Sequence, residues 1–236
     1  MLEINHITVR SEKITQPLTF AVCPDFHNGD VDLVLSACRG ADAMLVAGDL
    51  VDRHDHRTNG FDNAVRFLQE APDVAPVFYA IGNHERKLKT LKDYWPHVEK
   101  SRVTVLDDHF VTFGGIVLGG LSSRKEGPQC AWLSDMAAQP GFKLLMCHHP
   151  EYYKVAVLNR DIDLTIAGHA HGGQVRIPGI VNGLCAPNQG WFPKYAGGRY
   201  EVDGTTLIVS RGLSTQRQMS VPRIFNRPEI VVIDLE

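Results

Sequence analysis

The length, composition and charge of the chain already restrict the class of protein. Its 236 residues suffice for one domain or two, and a single α/β domain is well within this range. A hydrophobic fraction of 44% with 22% charged residues is typical of globular proteins, which excludes fibrous and disordered classes. The 24 basic and 27 acidic residues give a net charge of -3, and no Lys/Arg-rich block would follow a phosphate backbone. A nucleic-acid partner is therefore disfavoured.

Cysteine usage and the N-terminal sequence bear on the compartment. The five cysteines are scattered and form no CxxC pair, which favours reduced thiols over a disulfide framework. Residues 1–13 contain no apolar export signal, and no segment approaches the roughly 18 apolar residues of a membrane span. We therefore expect a cytoplasmic protein from the chain as written. An anchor removed upstream of Met1 would instead make it membrane-associated, with peripheral contact to the bilayer.

Strand-like apolar runs recur along the whole chain. In chain order they are residues 18–22, 43–48, 76–82, 116–120, 143–147, 164–168, 205–210 and 229–235. Their continuous apolar character predicts strands that are covered on both faces. Helical patterns lie between several of them, at residues 30–37, 61–69 and 129–138. This alternation predicts an α/β fold, and because we find neither a linker nor an internal repeat, we expect one domain over residues 1–236.

Five short polar clusters follow these strands, each within a residue or two of the last apolar position. In open α/β sheets, loops at the carboxyl ends of strands converge on one crevice, where ligands bind. The clusters are Asp25-Phe26-His27, Gly48-Asp49-Leu50-Val51-Asp52, Gly82-Asn83-His84-Glu85, His148-His149-Pro150 and Gly168-His169-Ala170-His171-Gly172-Gly173. Their shared position predicts a single functional site.

Each cluster also has a plain structural interpretation. Taken alone, Asp25 is better explained as a cap of the following helix, and Asp49 is explained equally well by a strand-end turn. The histidine clusters are harder to explain in this way. Histidine is an unusual choice at a buried strand end, as at His148, and the spacing of His169 and His171 in extended chain points both rings to one side.

The donor atoms of the clusters suit divalent metal ions. They supply carboxylates, one amide and imidazoles but no thiolate, a set that favours Mn, Fe, Zn or Co over Mg and argues against a structural zinc knot. The candidate ligands are Asp25, His27, Asp49, Asn83, His148, His169 and His171. These seven ligands are too many for one tetrahedral ion, but they divide between two ions if one carboxylate bridges.

The ordered set of clusters resembles the motifs of the calcineurin-like metallophosphoesterases. The match comprises Asp25-x-His27, Gly48-Asp49-x-x-Asp52, Gly82-Asn83-His84-Glu85, His148-x-Pro150 and Gly168-His169-x-His171. Segments 172–179, 184–195, 210–213 and 223–233 also resemble a bacterial subgroup of membrane-associated or exported phosphoesterases, which includes UDP-diacylglucosamine pyrophosphatases. The resemblance implies a four-layer α/β/β/α sandwich of two mixed sheets, with two metal ions at one edge.

The same resemblance implies a role for each motif residue. One ion would be held by Asp25, His27, Asp49 and His171, and the other by Asp49, Asn83, His148 and His169, so that Asp49 bridges. His84 corresponds to the family's acid-base histidine, and Asp52 to a carboxylate that orients its neighbours. The implied reaction is one-step hydrolysis of a phosphodiester, pyrophosphate or phosphomonoester by hydroxide held between the ions, with His84 protonating the departing oxygen.

Substrate contacts and rival functions are less specific. Arg53, Arg176 and Arg211 are candidate phosphate contacts, although a solvated charged loop is the simpler explanation for Arg53. The expected partner is a small phosphorylated substrate that is lipid- or nucleotide-linked. Two alternatives stay open: a non-catalytic metal-binding scaffold of the same fold, disfavoured because every ligand is present, and a nuclease, disfavoured by the net charge.

Overall fold

The computed structural model describes residues 1–54, 60–177, 179–215 and 221–236. These residues form two six-stranded sheets and a two-stranded hairpin. The strands are β1 (Glu3–Val9), β2 (Leu18–Val22), β3 (Ala43–Ala47), β4 (Val77–Ala80), β5 (Thr104–Leu106), β6 (His109–Phe113), β7 (Ile116–Leu121), β8 (Lys143–Cys147), β9 (Leu164–Ala167), β10 (Cys185–Ala186), β11 (Gly190–Trp191), β12 (Gly198–Val202), β13 (Thr205–Val209) and β14 (Glu229–Leu235). The α-helices are α1 (Val31–Ala37), α2 (Asp62–Glu70), α3 (Asn83–Lys87), α4 (Leu91–Lys100), α5 (Leu133–Ala137) and α6 (Tyr153–Ala156).

Both large sheets are mixed, with parallel strands at their centres. The first sheet has the order β1-β14-β2-β3-β4-β5, in which β14 and β2 are antiparallel and the other neighbours are parallel. The second has the order β12-β13-β9-β8-β7-β6, with an antiparallel pair at each edge. A contact of 2.8 Å between Nδ1 of His148, just after β8, and the carbonyl oxygen of Ala47, at the end of β3, joins the two sheets. The carboxyl ends of their central strands therefore meet at one edge.

Three apolar clusters separate four layers. The inner cluster lies between the sheets and packs Leu45 of β3 and its neighbours against Leu144 of β8 and its neighbours. A second cluster places α1, α2 and α4 on the outer face of the first sheet, with Phe67 of α2 fully buried. The third places α5 and α6 on the outer face of the second sheet, with Met136 of α5 fully buried. The predicted α/β/β/α sandwich is confirmed.

The predicted strands match the observed ones within two residues at each end. Strands β3 and β8 are buried along their whole length because both of their faces are covered. Helices α3 and α4 lie outside the predicted patterns, since α3 has only five residues and α4 contains Pro96. The edge strands β1 and β6 were likewise not among the apolar runs, because they lie at sheet margins and are only partly buried.

Within the part of the chain that the structure describes, no helix is long and apolar enough to span a bilayer.

Candidate metal centre

The loops that follow β2, β3, β4, β8 and β9 bring all seven predicted metal ligands to one edge of the sandwich. Each of these side chains is buried. Backbone hydrogen bonds hold two of the loops together, since Asp25 N–H donates to Gly48 O at 3.0 Å and His27 N–H donates to Asp49 O at 3.1 Å. The predicted convergence of the polar clusters is therefore observed.

Five of the seven candidate ligands have a left-handed backbone conformation. Their φ angles are 54° for Asp25, 47° for His27, 58° for Asp49, 65° for His169 and 47° for His171. Non-glycine residues rarely adopt positive φ, and such strain persists where surrounding structure imposes it. The tight turns at the strand ends impose it here, and they place successive polar side chains in the same crevice.

Asp49 lies at the centre of the cluster. Its Oδ1 atom accepts a hydrogen bond from the backbone N–H of His84 at 2.8 Å. Its buried Oδ2 atom accepts no hydrogen bond from the described residues. Three imidazole nitrogens nevertheless face this atom, Nε2 of His148 at 3.1 Å, Nε2 of His27 at 3.8 Å and Nε2 of His84 at 3.9 Å. A buried carboxylate oxygen without a donor is costly, and a cation shared with the imidazoles would satisfy it.

One group of donors forms around Asp25. Its Oδ1 atom lies 3.8 Å from Nε2 of His27 and 4.0 Å from Nε2 of His171. The backbone N–H of His169 donates to Oδ2 of Asp25 at 2.9 Å, which fixes the carboxylate. The three side chains present ligand atoms within 4.8 Å of one another, a spacing that a single ion could bridge.

A second group forms around His148. Nδ1 of this residue can donate to the carbonyl of Ala47, which leaves the lone pair of Nε2 for a metal. Nε2 lies 3.2 Å from Oδ1 of Asn83. The rings of His148 and His169 are 5.0 Å apart, and Nε2 of His148 lies 3.1 Å from Oδ2 of Asp49, so imidazole and amide donors meet beside this carboxylate.

The electrostatics of the site favour the ligand forms of several residues. Burial lowers the pKa of His171 to about 3 and also lowers the pKa of His169, so both rings are neutral and keep a lone pair. Burial opposes ionisation of Asp25, but the neighbouring histidines outweigh it and lower its pKa to about 2. For His148, the charge of Asp49 outweighs burial and raises the pKa to about 10. These donors fit divalent cations. A cation bound to Nε2 of His148 would take the place of the proton that Asp49 stabilises on this ring.

His84 and Asp52 lie beside the ligands. In the neutral ring, Nδ1 of His84 accepts from the backbone N–H of Arg53 at 3.1 Å, so Nε2 carries the proton. In the charged ring, Nδ1 donates to Oδ1 of Asp52 at 3.2 Å, and Nε2 again carries a proton. Burial disfavours the charged form, but Asp49 and Asp52 outweigh it and raise the pKa of His84. Nε2, which faces Asp49, therefore carries a proton in either state, and the charged ring is the form that can give this proton to a leaving oxygen.

Two polar residues without a predicted role support the site. Glu85 is buried and accepts hydrogen bonds from the loops after β3 and β4. Its position three residues after Gly82 is the spacing of a capping box, a signal that was available in the sequence. The Nδ2 atom of Asn188 lies 3.2 Å from Nε2 of His169 and donates to Glu151 at 2.8 Å. No sequence pattern marks Asn188, because it follows no strand of either large sheet.

The predicted substrate contacts differ in their position. Arg53 lines the cavity of about 180 Å³ at the candidate ligands. Arg176 and Arg211 are not among the described residues that line it. The guanidinium of Arg211 is instead bound by carboxylates, at 2.6 Å from Oε2 of Glu3 and 2.5 Å from Oε2 of Glu229. The structure brings Arg53 to the site but not the other two arginines.

Comparison with known proteins gives the family. A family model described as calcineurin-like phosphoesterase matches residues 18–173, and the chain belongs to this family. Its members are divalent-metal-dependent hydrolases of phosphoesters. The matched residues include all five polar clusters and the strands of both large sheets that precede these clusters.

Individual relatives are more distant. An uncharacterized metallophosphoesterase of Campylobacter jejuni is 26% identical over 251 residues, covering 99% of this chain and 63% of the relative. The phosphodiesterase YaeI of Escherichia coli is 25% identical over 207 residues, covering 82% of this chain and 70% of YaeI. This chain spans 50% to 63% of the length of the Campylobacter protein and two Helicobacter pylori metallophosphoesterases.

Among solved structures, the NAD nucleotidase NadN of Haemophilus influenzae superposes with a TM-score of 0.54 at 15% identity, covering 84% of this chain and 51% of NadN. This likeness concerns the fold.

Proposed function

We propose that the protein is a two-ion phosphodiesterase that hydrolyses small phosphorylated substrates. The observation that carries this proposal is the buried Oδ2 atom of Asp49, which accepts no hydrogen bond from the described residues and is faced by three imidazole nitrogens. Hydrogen bonds satisfy most buried carboxylates, so a carboxylate surrounded in this way is typical of a metal ligand. Family membership supports the same chemistry.

The two groups of donors, one around Asp25 and one around His148, suggest how the ions divide. One ion would be held by Asp25, His27, Asp49 and His171, and the other by Asp49, Asn83, His148 and His169. The donor set contains nitrogen and oxygen but no sulfur, which favours Mn, Fe, Zn or Co. Because the ligands come from both sheets, a site of this composition needs both sheets, and we propose that residues 1–236 act as one domain.

When bound, divalent ions neutralise charge on phosphoryl oxygens and activate water for attack. The protein's own residues then protonate the leaving group and contact the phosphoryl group. Nε2 of His84 carries a proton and faces the same space as Asp49 Oδ2, so it can protonate the departing oxygen. Asp52 stabilises the charged ring through Nδ1, and Arg53, which lines the cavity, can contact a phosphoryl oxygen.

A proton donor such as His84 favours substrates with an alkoxide leaving group, which alkyl monoesters and alkyl diesters share. A named relative favours the diester class. The relative YaeI is named a phosphodiesterase, and it covers most of this chain. Lipid-linked and nucleotide-linked diesters both fall within this class.

The test replaces Asp49 by asparagine. Purified protein is loaded with excess Mn²⁺, its bound metal is measured by mass spectrometry, and turnover of bis-p-nitrophenyl phosphate is followed. We expect two equivalents of metal in the wild type and a loss of activity of more than about 100-fold in Asp49→Asn, with less metal bound.

The matched control is Asp42→Asn, at the other end of the same strand, where the carboxylate accepts a hydrogen bond from Thr19 N–H. This variant should keep its metal and turnover. Full metal content and normal turnover in Asp49→Asn would contradict the bridging role. Metal binding without hydrolysis in the wild type would favour the scaffold alternative.

A further inference from the structure

A second cavity opens beside the candidate metal centre. It has a volume of about 380 Å³, and we call it the basic cleft. Its cationic wall is formed by Arg86, Lys87, Arg124 and Lys125, together with Ser123. The basic cleft and the metal-centre cavity share the lining residues Asn83, Lys87, His149 and Asn188. A molecule bound at the metal centre can therefore extend into the basic cleft without leaving the surface.

The two arginines of the cleft are held in place by aspartates. Nη2 of Arg86 lies 2.5 Å from Oδ1 of Asp107, and Nε of Arg124 donates to Oδ2 of Asp108 at 2.6 Å. Nε of Arg86 also donates to the carbonyl of Ser123 at 3.1 Å, which joins α3 to the loop after β7. These pairs neutralise the arginine charges and give the cleft a defined wall.

The two lysines of the basic cleft, unlike its arginines, are not paired with an aspartate of the described residues. Both are exposed, and among the described residues no carboxylate lies within 4 Å of Lys87 or Lys125. Glu151, which contacts two lining residues of the cleft, is engaged through Oε1 by Asn188 at 2.8 Å and His149 at 3.1 Å. The cleft therefore has two uncompensated positive charges beside a site that binds an anionic phosphoester.

A buried hydroxyl adds a donor at the same wall. Ser123 is 3% exposed and lines the cleft, yet its hydroxyl has no hydrogen-bond partner among the described residues. A buried hydroxyl without a partner is costly, and an anion in the cleft would supply an acceptor. The rings of His149 and Tyr152, which also line the cleft, stack on each other with centroids 4.5 Å apart.

We propose that the basic cleft binds a second phosphate of the substrate, by ion pairs with Lys87 and Lys125 and a hydrogen bond from the Ser123 hydroxyl. The preferred substrates are then phosphodiesters that carry a further phosphate group. This proposal rests on the proposed phosphodiesterase activity and specifies its substrate class. Two phosphates on one molecule occupy the two adjoining cavities at once, and the cleft selects for the second.

The experiment compares two substrates that release the same nitrophenolate. One is thymidine 5'-(p-nitrophenyl phosphate), and the other carries an additional 3'-phosphate. With excess Mn²⁺, we expect the wild type to favour the 3'-phosphorylated substrate by about tenfold or more in kcat/KM. Lys125→Ala should reduce this ratio by about fivefold, Lys125→Arg should retain it, and Lys87→Ala combined with Lys125→Ala should bring it close to one.

The control is Lys89→Ala, an exposed lysine of the same segment that does not line the cleft. It should leave the ratio unchanged, whereas added salt should lower the ratio in the wild type. A wild-type ratio near one would overturn the proposal, as would equal losses on both substrates in Lys125→Ala. The substrate with one phosphate reports the proposed function by itself. If both substrates are hydrolysed with similar kcat/KM, only the proposal for the basic cleft is overturned. If neither substrate is hydrolysed, the proposed phosphodiesterase activity is overturned.

Discussion

The Oε2 atom of Glu85 accepts a hydrogen bond from the backbone N–H of Asp49 at 3.1 Å. The same carboxylate accepts from the N–H groups of Leu50 at 2.7 Å and Gly82 at 2.9 Å, and from the hydroxyl of Tyr79 at 2.7 Å. Burial and the charge of Asp49 both raise the pKa of Glu85. One side chain thus ties the loop that carries the proposed bridging ligand to the loop that carries the proposed proton donor.

We expect Glu85→Gln to destabilise the protein and weaken metal binding together. Its amide nitrogen would face backbone donors that now point at a carboxylate oxygen, and each buried N–H left without an acceptor costs about 1–3 kcal/mol. A loss of roughly 3 kcal/mol or more in the free energy of unfolding, measured with urea, is therefore expected. Glu99→Gln on exposed α4 is the control and should change it by less than about 0.5 kcal/mol. An unchanged free energy of unfolding in Glu85→Gln would mean that the carboxylate does not hold the two loops together.

A glycine next to the bridging ligand should not tolerate a side chain. Gly48 has a φ of +90°, and a Cβ atom there would lie 2.6 Å from Nδ1 of His148 and 2.8 Å from the Cα of Gly82. Gly40 has nearly the same φ, +88°, with no atom within 4 Å of its Cβ position. Gly48→Ala should therefore cost about 1–3 kcal/mol more than Gly40→Ala, because it adds overpacking to the same backbone strain, and only Gly48→Ala should reduce bound metal. If urea unfolding gives equal losses of the free energy of unfolding for Gly48→Ala and Gly40→Ala, backbone strain alone is responsible.

The role of His84 can be separated from support of the metal centre by the choice of leaving group. A proton donor matters most for an alkoxide, so His84→Ala should slow hydrolysis of an alkyl diester by about 10² to 10⁴. A nitrophenyl diester, whose leaving group departs without a proton, should be slowed far less. Metal content should remain at the wild-type level. Similar losses on both substrates would instead assign His84 to the metal centre.

The adjacent histidines should differ in their tolerance to substitution. His148 reaches Asn83 and Asp49 through Nε2 while its Nδ1 contacts the main chain. His149 contacts Glu151 through Nδ1, and its ring lies beside that of His169 with centroids 4.1 Å apart and planes tilted by 53°. His148→Ala should therefore lose metal and activity, and His149→Ala should keep its metal with a smaller loss of activity at saturating Mn²⁺. If His149→Ala binds less metal than His148→Ala, the ligand assignment is reversed.

The sequence alone determined the apolar strands that are buried in the sheets, the polar clusters and the chemical class of the site. These features are local: apolar runs mark strands that are buried on both faces, and the residue after a strand end must lie at the edge of its sheet. The kinds of donor in the clusters, carboxylate, amide and imidazole, indicated divalent metals before any distance was known. The order of the five motifs added the family resemblance, which the family match confirms.

Only the tertiary structure decided which of these residues meet and what surrounds them. The contact between Asp25 and His169 joins positions 144 residues apart, and it exists because two separate sheets pack with their carboxyl ends at one edge. The same packing pairs Arg211 with Glu3 and Glu229. No local sequence pattern indicates these ion pairs, because the partners are not neighbours along the chain. It also places Lys125 in one cleft with Arg86 and Lys87, which belong to the helix of the proposed proton donor His84. Periodicity describes neighbours along the chain, whereas charge pairing and cavity walls depend on neighbours in space.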